Sequence, residues 1–401
     1  MKLFEKRLFK RFDFFSLAIV CVIFTYGLLV LANATAQPNN GEVSGLSGLL
    51  ANLDLETLAL QVAWFVLGLI GMVAISLFDY QTYGELYRII YWVSVGLLVA
   101  VLILGTVSRG TQGWFTIGGR GFQPSELAKI SMVIVLAKVV ADRSNPGTGI
   151  QSFRDIVPIF LYVAVPVALV MLQPDWGTAV VYIAIAVGIL FVARLSVKII
   201  LILLGVSVGG GVIAYYFLMA DWQKNRIFSF LNQEAGTVGA GMQVDRSKQV
   251  IASGGISGKG IFSEGTLSQL GFLPEQQTDF IFSVSIETFG FIGGLVLIVL
   301  YALLIIRFIS LAWSAKDRYG SYIIIGVVSM LMFHVFENIA MVMGIMPVTG
   351  IPLPFVSYGG SSMLTNMLAL GLVQNVAMRR LPVQRRRMYV DPSDRLMDSK
   401  I

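Results

Sequence analysis

Two acidic residues stand directly before a run of apolar residues, and a third lies inside that run. Glu275 and Asp279 precede the segment 280–286, and Glu287 follows within a stretch apolar enough to be a membrane-spanning helix. A carboxylate at the mouth of such a helix would be partly buried, which raises its pKa toward the range that suits a general base. Asp279 is therefore the candidate catalytic residue. The alternative is that Asp279 only caps the helix, because Asp is a preferred N-cap residue.

Other charged residues lie inside predicted spans, where their insertion is costly and a partner is expected. Glu287, about 12 Å deeper than Asp279 along the helix, is predicted to be a polar tether within the bundle. Glu126 and Lys129 are spaced i, i+3 on one helical face and are able to pair. That pair is either part of a substrate site or a structural salt bridge near the start of a helix.

A later span carries His334, Glu337 and Asn338 on one helical face. A single His without a Cys cluster makes a zinc site improbable. We therefore predict that this face forms hydrogen bonds between helices and holds no metal.

The composition indicates that most of this chain lies in a membrane. Of 401 residues, 56% are hydrophobic and only 13% are charged, a balance that is atypical of soluble domains. We predict a single all-α integral membrane domain over residues 1–401, with about ten spanning helices. The apolar runs are 14–34, 58–78, 87–107, 126–141, 156–172, 177–194, 198–218, 280–309, 320–344 and 359–378.

The distribution of Lys and Arg predicts the orientation. Both termini are basic, whereas the first loop, 35–57, contains acids and no Lys or Arg. Because cytoplasmic loops carry the excess of positive charge, both termini are predicted to be cytoplasmic, in the cytoplasmic membrane. The net charge of +6 then faces anionic lipid headgroups, and nucleic acid is not an expected partner.

Residues 219–279 form a long polar stretch between the seventh and eighth predicted spans, which parity places outside the cell. Loops of this length are usually functional or disordered. Regularly spaced Ile, Phe, Leu and Met between Gly turns favour short amphipathic helices on the membrane surface.

Two further motifs combine Pro and Gly with polar side chains beside predicted spans. "QPDWGTA" begins at Gln173 and "MPVTGIPLPFVSYGGSS" begins at Met346. Irregular backbone persists at membrane depth only where protein or water surrounds it, so these motifs predict a hydrated pocket open to the outside.

The outer face of a membrane has no nucleotide supply, so a substrate there must bring its own bond energy. A lipid-linked donor with a pyrophosphate leaving group meets that demand and would need cations around it. The available cations are Lys224, Arg226, Arg246, Lys248 and Lys259 in the long loop, or Arg109, Arg120 and Lys129 near the fourth span.

Four motifs carry a family resemblance across nearly the whole chain. In order they are "WFTIGGRGFQPSELAKI", "QPDWGTA", "GFLPEQQTDFIFS" and "MPVTGIPLPFVSYGGSS". Together they resemble the SEDS family (shape, elongation, division and sporulation proteins), and the last motif is more similar to the elongation members than to the division members. The resemblance implies ten spans and a peptidoglycan glycosyltransferase that polymerises lipid II into glycan chains during cell elongation.

The resemblance also implies site residues and partners. Asp279 matches the acid that the resemblance implies to be catalytic. The implied partner is a class B penicillin-binding protein, which would supply transpeptidation. No protein metal site is predicted, although a divalent cation such as Mg²⁺ or Mn²⁺ could neutralise the pyrophosphate. The predicted substrate-binding residues are Lys129, Trp114, Glu126, Arg226, Arg246, Lys259 and Ser357.

This chain departs from the family pattern in three places. It has Ile286-Glu287-Thr288 where members usually carry "AEE", Trp176 where they carry Leu, and Arg246-Ser247 where they carry "QS". Two alternatives to an enzyme stay open: a flippase for lipid II, since polar groups and broken helices also suit alternating access, and a non-catalytic scaffold for the penicillin-binding protein.

Overall fold

The protein is a helical bundle with one small sheet. Its computed structural model describes residues 10–36, 53–108, 111–117, 120–145, 147–202, 205, 209, 215–216, 224, 240–261, 263 and 265–380. In chain order the elements are α1 Phe14–Thr35, α2 Leu55–Leu77, α3 Tyr80–Glu85, α4 Tyr87–Leu104, β1 Thr106–Ser108, β2 Thr111–Ile117, β3 Arg120–Phe122, α5 Pro124–Arg143, α6 Phe153–Leu172, α7 Trp176–Val192, α8 Ala240–Gly254, α9 Ile281–Trp313, α10 Arg318–Val342 and α11 Gly360–Met378.

Acidic N-caps define where many of these helices begin. Asp13, Asp54, Asp175 and Asp317 each accept a backbone N–H from the first turn of the helix that follows. A carboxylate at this position satisfies an orphan donor and is favoured by the helix dipole. The start of α1, α2, α7 and α10 is therefore determined by residues that are close together in the sequence.

Side-chain contacts between distant residues show how the helices alternate in direction. At one end of the bundle, Asp13 before α1 pairs with Arg307 of α9 and its backbone bonds Gln374 of α11. At the other end, Gln276 before α9 donates to the carbonyl of Ala34 at the end of α1. α1 therefore runs antiparallel to α9, as expected of a polytopic bundle.

The core of the bundle lies around α5, α10 and α11, whose residues are mostly buried. Six described helices, α1, α2, α4, α6, α9 and α10, are long and apolar enough to cross a membrane. Large apolar side chains stay exposed on the outward faces of the bundle, among them Trp92, Phe160 and Phe291. Such a surface suits contact with lipid tails.

Nine of the ten predicted runs coincide with described helices, within a few residues at each end. The seventh, 198–218, lies mostly outside the described residues, and the structure describes a helical stretch over 197–202. The all-α prediction is incomplete because β1, β2 and β3 form an antiparallel sheet in that order. The third predicted run, 87–107, accordingly ends at Leu104, where the chain leaves the helix and enters β1.

The described part of the long loop contains the helix α8, which packs against α9 and α10. The placement of the loop helices on the membrane surface stays a prediction. Ser247 of α8 is fully buried and bonds both the hydroxyl of Ser283 (2.7 Å) and the carbonyl of Val342 (2.8 Å). The loop helix is therefore attached to protein because its polar face finds partners there.

α9 is broken near its start, at Gly290. This residue has φ 70°, a value that favours glycine, and the two halves of the helix meet there. The backbone of residues 255–260 fills the break: Phe291 N–H donates to Gly255 O (2.9 Å), and Lys259 N–H donates to Glu287 O (2.9 Å). The predicted continuous run 280–309 is thus two helical segments with loop backbone bonded at the junction.

Substitution of Gly290 by Ala should destabilise the fold. A β-carbon there would collide with the backbone of Ile256 and Gly258 and would also strain the left-handed φ, at a cost of roughly 1–3 kcal/mol or more. We expect a lower thermal unfolding midpoint in detergent. Gly96→Ala is the control, because no atom lies within 4 Å of a β-carbon at that position. Equal midpoints for the two variants would contradict this interpretation of the break.

Candidate active site

Asp279 lies in a tight turn immediately before α9. The carbonyl of Glu275 accepts the backbone N–H groups of Thr278 (3.2 Å), Asp279 (3.2 Å) and Phe280 (3.4 Å). Glu275 itself has φ 53°, an uncommon conformation for a residue other than glycine. Strained backbone of this kind concentrates at functional sites, where the surroundings hold it in place.

Contacts from α10 and from the segment 349–358 hold the turn in place. Asn338 donates one bond to Asp279 O and another to Ile351 O, both at 2.8 Å. The Ser357 hydroxyl donates to Thr278 O (2.6 Å) and accepts from Leu353 N–H (2.8 Å). Because these contacts fix backbone atoms on both sides of the Asp279 side chain, its carboxylate is positioned by three separate parts of the chain.

The carboxylate of Asp279 is half-buried against the backbone of Gly350. A β-carbon at Gly350 would lie 3.5 Å from Asp279 Oδ2, and Gly350 has φ 74°. The alternative role as an N-cap is wrong, because the cap of α9 is Phe280 and that cap makes no side-chain bond. Asp279 therefore lies one residue before the cap position of α9.

Glu126 and Lys129 form the predicted ion pair, and it is deeply buried. Lys129 Nζ lies 2.6 Å from Glu126 Oε1 and 3.0 Å from Nε2 of His334 on α10, and the Lys129 side chain is 1% exposed. The predicted hydrogen bonding between helices is confirmed for His334, which contacts α5, whereas Glu337 accepts from Thr349 (2.9 Å) and Asn338 donates to backbone outside the helices. Glu126 and Glu337 each keep one buried oxygen without a hydrogen-bond partner in the described structure.

The two Pro- and Gly-rich motifs meet beside these residues. Asp175 accepts from Gln123 (2.9 Å) at the start of α5, and a β-carbon at Gly177 would lie 2.9 Å from Thr349 O. The start of α7 thus contacts both the start of α5 and the segment beside Asp279. The structure assembles these motifs at one end of the bundle, as a pocket built from several parts of the chain requires.

For three other predicted binding residues, the described side-chain hydrogen bonds are with residues in the same strand, in the long loop or in α9. Trp114 is in β2, where its indole N–H donates to Thr111 (3.3 Å). Arg246 on α8 donates to Phe272 O (3.0 Å) and stacks on its ring, and Lys259 pairs with Glu287 (2.9 Å). Ser357 holds the turn as described above. Arg226 lies outside the described residues.

Sequence reasoning missed two groups that shape this end of the bundle. The network of Gln123, Ser125 and Asp175 joins α5 to α7, and its signal was the N-cap spacing of Asp175 and Thr178. Gln276 was also missed: it is buried and donates to Ser268 O and Ala34 O, both at 2.8 Å. Nothing in the local sequence of Gln276 indicates such distant partners.

Together these features define a multi-pass helical membrane protein with a half-buried carboxylate at one end of the bundle. The model of the FtsW/RodA/SpoVE family of cell cycle proteins matches residues 14–381. This chain belongs to that family, which confirms the family predicted from the four motifs.

Named relatives cover most of the chain. The peptidoglycan glycosyltransferase MrdB of Escherichia coli K12 is 36% identical over 368 residues, which are 91% of this chain and 93% of MrdB. The peptidoglycan glycosyltransferase RodA of Treponema pallidum is 30% identical and covers 80% of this chain and 89% of its own length. Stage V sporulation protein E of Bacillus subtilis is 36% identical over 79% of this chain and 86% of its own length.

Solved structures share the fold over nearly the full length. The crystal structure of the rod shape determining protein RodA of Thermus thermophilus superposes with a TM-score of 0.66 at 27% identity, covering 92% of this chain and 98% of RodA. A chain from a peptidoglycan synthase complex, described as coordinating polymerization and crosslinking, gives a TM-score of 0.74 at 28% identity, covering 95% and 99%.

Lys129→Met should be strongly destabilising. It leaves the buried Glu126 carboxylate without its cation, and breaking such a pair typically costs about 3–5 kcal/mol. We expect a lower unfolding midpoint, with partial recovery in the double variant Lys129→Met/Glu126→Gln. Lys138→Met is the control, because its pair with Asp142 is 30% and 46% exposed and such pairs contribute about 0–1 kcal/mol. No recovery in the double variant would contradict the pairing.

Ser357→Ala should impair the positioning of Asp279 without unfolding the bundle. It removes the bond to Thr278 O and leaves Leu353 N–H buried without its acceptor, a cost of about 1–3 kcal/mol. We expect a lower rate of the glycosyltransferase reaction, measured as glycan formed per minute by a fixed amount of purified protein. The control is Ser314→Ala, whose exposed hydroxyl bonds only its own helix. Equal turnover of the two variants would exclude this role for Ser357.

Proposed function

We propose that this chain is a peptidoglycan glycosyltransferase that polymerises lipid II during cell elongation, with Asp279 as general base. The observation that carries the proposal is the turn before α9, where backbone contacts from α10 and from residues 349–358 hold a half-buried carboxylate. The named activity of MrdB and of Treponema pallidum RodA supports the reaction class.

The proposed chemistry is a single displacement at the donor sugar. The Asp279 carboxylate takes the proton from the acceptor hydroxyl as its oxygen bonds to the anomeric carbon, and the bond from that carbon to polyprenyl pyrophosphate breaks. The leaving group keeps the electron pair of the broken bond. Attack from the opposite face inverts the anomeric configuration, as in other inverting sugar chemistry.

The pyrophosphate needs positive charge around it as it leaves. Arg246 and Lys259 are two of the loop cations predicted for this role, and Lys259 is 32% exposed in its pair with Glu287. Within the described ranges, no group of three His, Cys, Asp or Glu residues could hold a metal ion. A divalent cation such as Mg²⁺ or Mn²⁺ would accordingly take most of its ligands from the substrate's phosphate oxygens.

We place the Asp279 end of the bundle outside the cytoplasmic membrane and both termini in the cytoplasm. Described basic residues support this orientation, because many of them lie at the opposite end. Arg11 bonds Arg380 O, Arg318 bonds Ser144 O, and Arg379 bonds Ser76 O at that end. Cytoplasmic loops carry such an excess of positive charge.

The partner we propose is a class B penicillin-binding protein that crosslinks the new strand. The structural similarity to a chain of a peptidoglycan synthase complex supports a partner of this kind. Lipid II and the growing glycan are the proposed substrates, membrane lipids surround the bundle, and nucleic acid has no role.

Asp279→Asn should abolish polymerisation while the protein stays folded. The amide cannot accept the hydroxyl proton, and loss of a general base typically lowers the rate by about 10²–10⁴-fold. The measurement is gel analysis of glycan made from purified lipid II in detergent, with and without a chelator. Asp142→Asn, an exposed acid whose contact is with Lys138 at the other end of the bundle, is the matched control.

The same assay separates the two alternatives. A flippase forms no glycan in detergent. If the protein is only a scaffold, cells that carry Asp279→Asn keep their normal shape and the complex still assembles. Native rates of polymerisation by Asp279→Asn would end the proposal for this residue.

A further inference from the structure

Glu287 is a fully buried carboxylate inside the first segment of α9, and the proposed reaction does not use it directly. Four donors surround it: Leu267 N–H (2.8 Å) and Lys259 Nζ (2.9 Å) at Oε1, Ser268 N–H (3.0 Å) at Oε2, and the Ser253 hydroxyl (3.0 Å) at Oε1. A buried charge is tolerated only with such compensation. Here most of that compensation comes from the loop that precedes α9.

The backbone beside Glu287 binds the same loop. The break at Gly290 frees carbonyls that a continuous helix would use, and Glu287 O and Thr288 O accept Lys259 N–H and Gly260 N–H instead, at 2.9 and 3.0 Å. At Gly258 a β-carbon would collide with Thr288 O. Side chain and backbone of α9 thus bond both to residues 253–260 and to Leu267 and Ser268.

That arrangement continues without interruption to Asp279. Leu267 and Ser268, the two residues whose N–H groups Glu287 accepts, also close the next turn: Leu267 O accepts Phe272 N–H (3.1 Å) and Ser268 O accepts Gly271 N–H (3.1 Å). Ser268 O also accepts the side chain of Gln276, which is buried and lies three residues before Asp279. One carboxylate therefore anchors the N-terminal approach to the turn, while α10 and residues 349–358 anchor the turn itself.

We infer that Glu287 is a positioning residue for the proposed reaction, because its carboxylate holds Leu267 and Ser268 and thereby fixes the segment that places Asp279. The inference rests on the proposed function. The inference assigns the positioning of Asp279 to the bonds between Glu287 and the backbone N–H groups of Leu267 and Ser268. The ion pair has a secondary role, since Lys259 is 32% exposed and solvent weakens its attraction to Glu287.

The variant Glu287→Gln tests this role with little change in volume. An amide offers one acceptor oxygen, so its NH₂ group must face one of the donors that now point at Oε1 and Oε2. We expect kcat for lipid II polymerisation to fall at least 10-fold with KM changed less than 3-fold. We also expect the acidic limb of the kcat–pH profile to move, because a displaced Asp279 carboxylate has different surroundings. Partial unfolding would lower the amplitude of that profile without moving the limb.

Two controls separate the effect of the backbone donors from that of a side-chain donor and from a loss of folded protein. Ser253→Ala removes the hydroxyl that donates to Oε1 and leaves both backbone donors, so kcat should stay within about 3-fold of the native value. Glu287→Asp keeps both carboxylate oxygens and should recover part of the activity lost in Glu287→Gln. The unfolding midpoint and the elution volume of each variant in detergent give its folded fraction, to which kcat is normalised.

The outcomes are distinguishable from those for the proposed function. Native kcat and an unmoved acidic limb in Glu287→Gln would overturn the inference, even where Asp279→Asn is inactive. A loss in Ser253→Ala equal to that in Glu287→Gln would also overturn it, because loss of activity would then not require loss of the contacts to the two backbone donors. An active Asp279→Asn variant would refute the proposed base itself, whatever Glu287→Gln does.

Discussion

The structure depends on one constraint: polar groups inside an apolar bundle must find their partners within the protein. Each unpaired group in such surroundings is costly, and lipid offers no hydrogen bonds. The buried Glu126–Lys129–His334 chain meets that constraint between α5 and α10. The paired Asp13 and Arg307 meet it at the opposite end of the bundle. These contacts connect helices far apart in sequence, and so they also determine which helices are neighbours.

The same constraint explains two irregular places in the bundle. The break at Gly290 leaves carbonyls that need donors, and the loop 255–260 supplies them. The segment 349–358 is not helical, and Asn338, Ser357 and Gln61 bond its backbone. Non-helical backbone is thus stable here because protein surrounds it on several sides. The Asp279 carboxylate lies beside the second of these segments and is half-buried.

This arrangement separates two kinds of acid in the chain. Glu287 is saturated with donors and has no room for a substrate group. Asp279 is half-buried, precedes the cap residue of its helix and has its Oδ2 oxygen beside Gly350. Both acids belong to the same short stretch of sequence. Their different surroundings suit them to the two tasks that we propose, one to anchor the loop and the other to accept a proton.

Much of this protein could be predicted from its sequence alone, for physical reasons that are local. Runs of apolar residues require a membrane and set the length of each helix, and Asp N-caps fix where helices begin. The i, i+3 spacing of Glu126 and Lys129 predicted a pair that the structure contains. The motif order identified the family. The small sheet, the attachment of α8 to α9 and α10, and the four donors around Glu287 were beyond reach of the sequence. Each joins residues separated by several to about a hundred positions, and only the folded bundle decides which of them meet, because a buried polar group bonds whatever donor or acceptor the packing brings within about 3 Å.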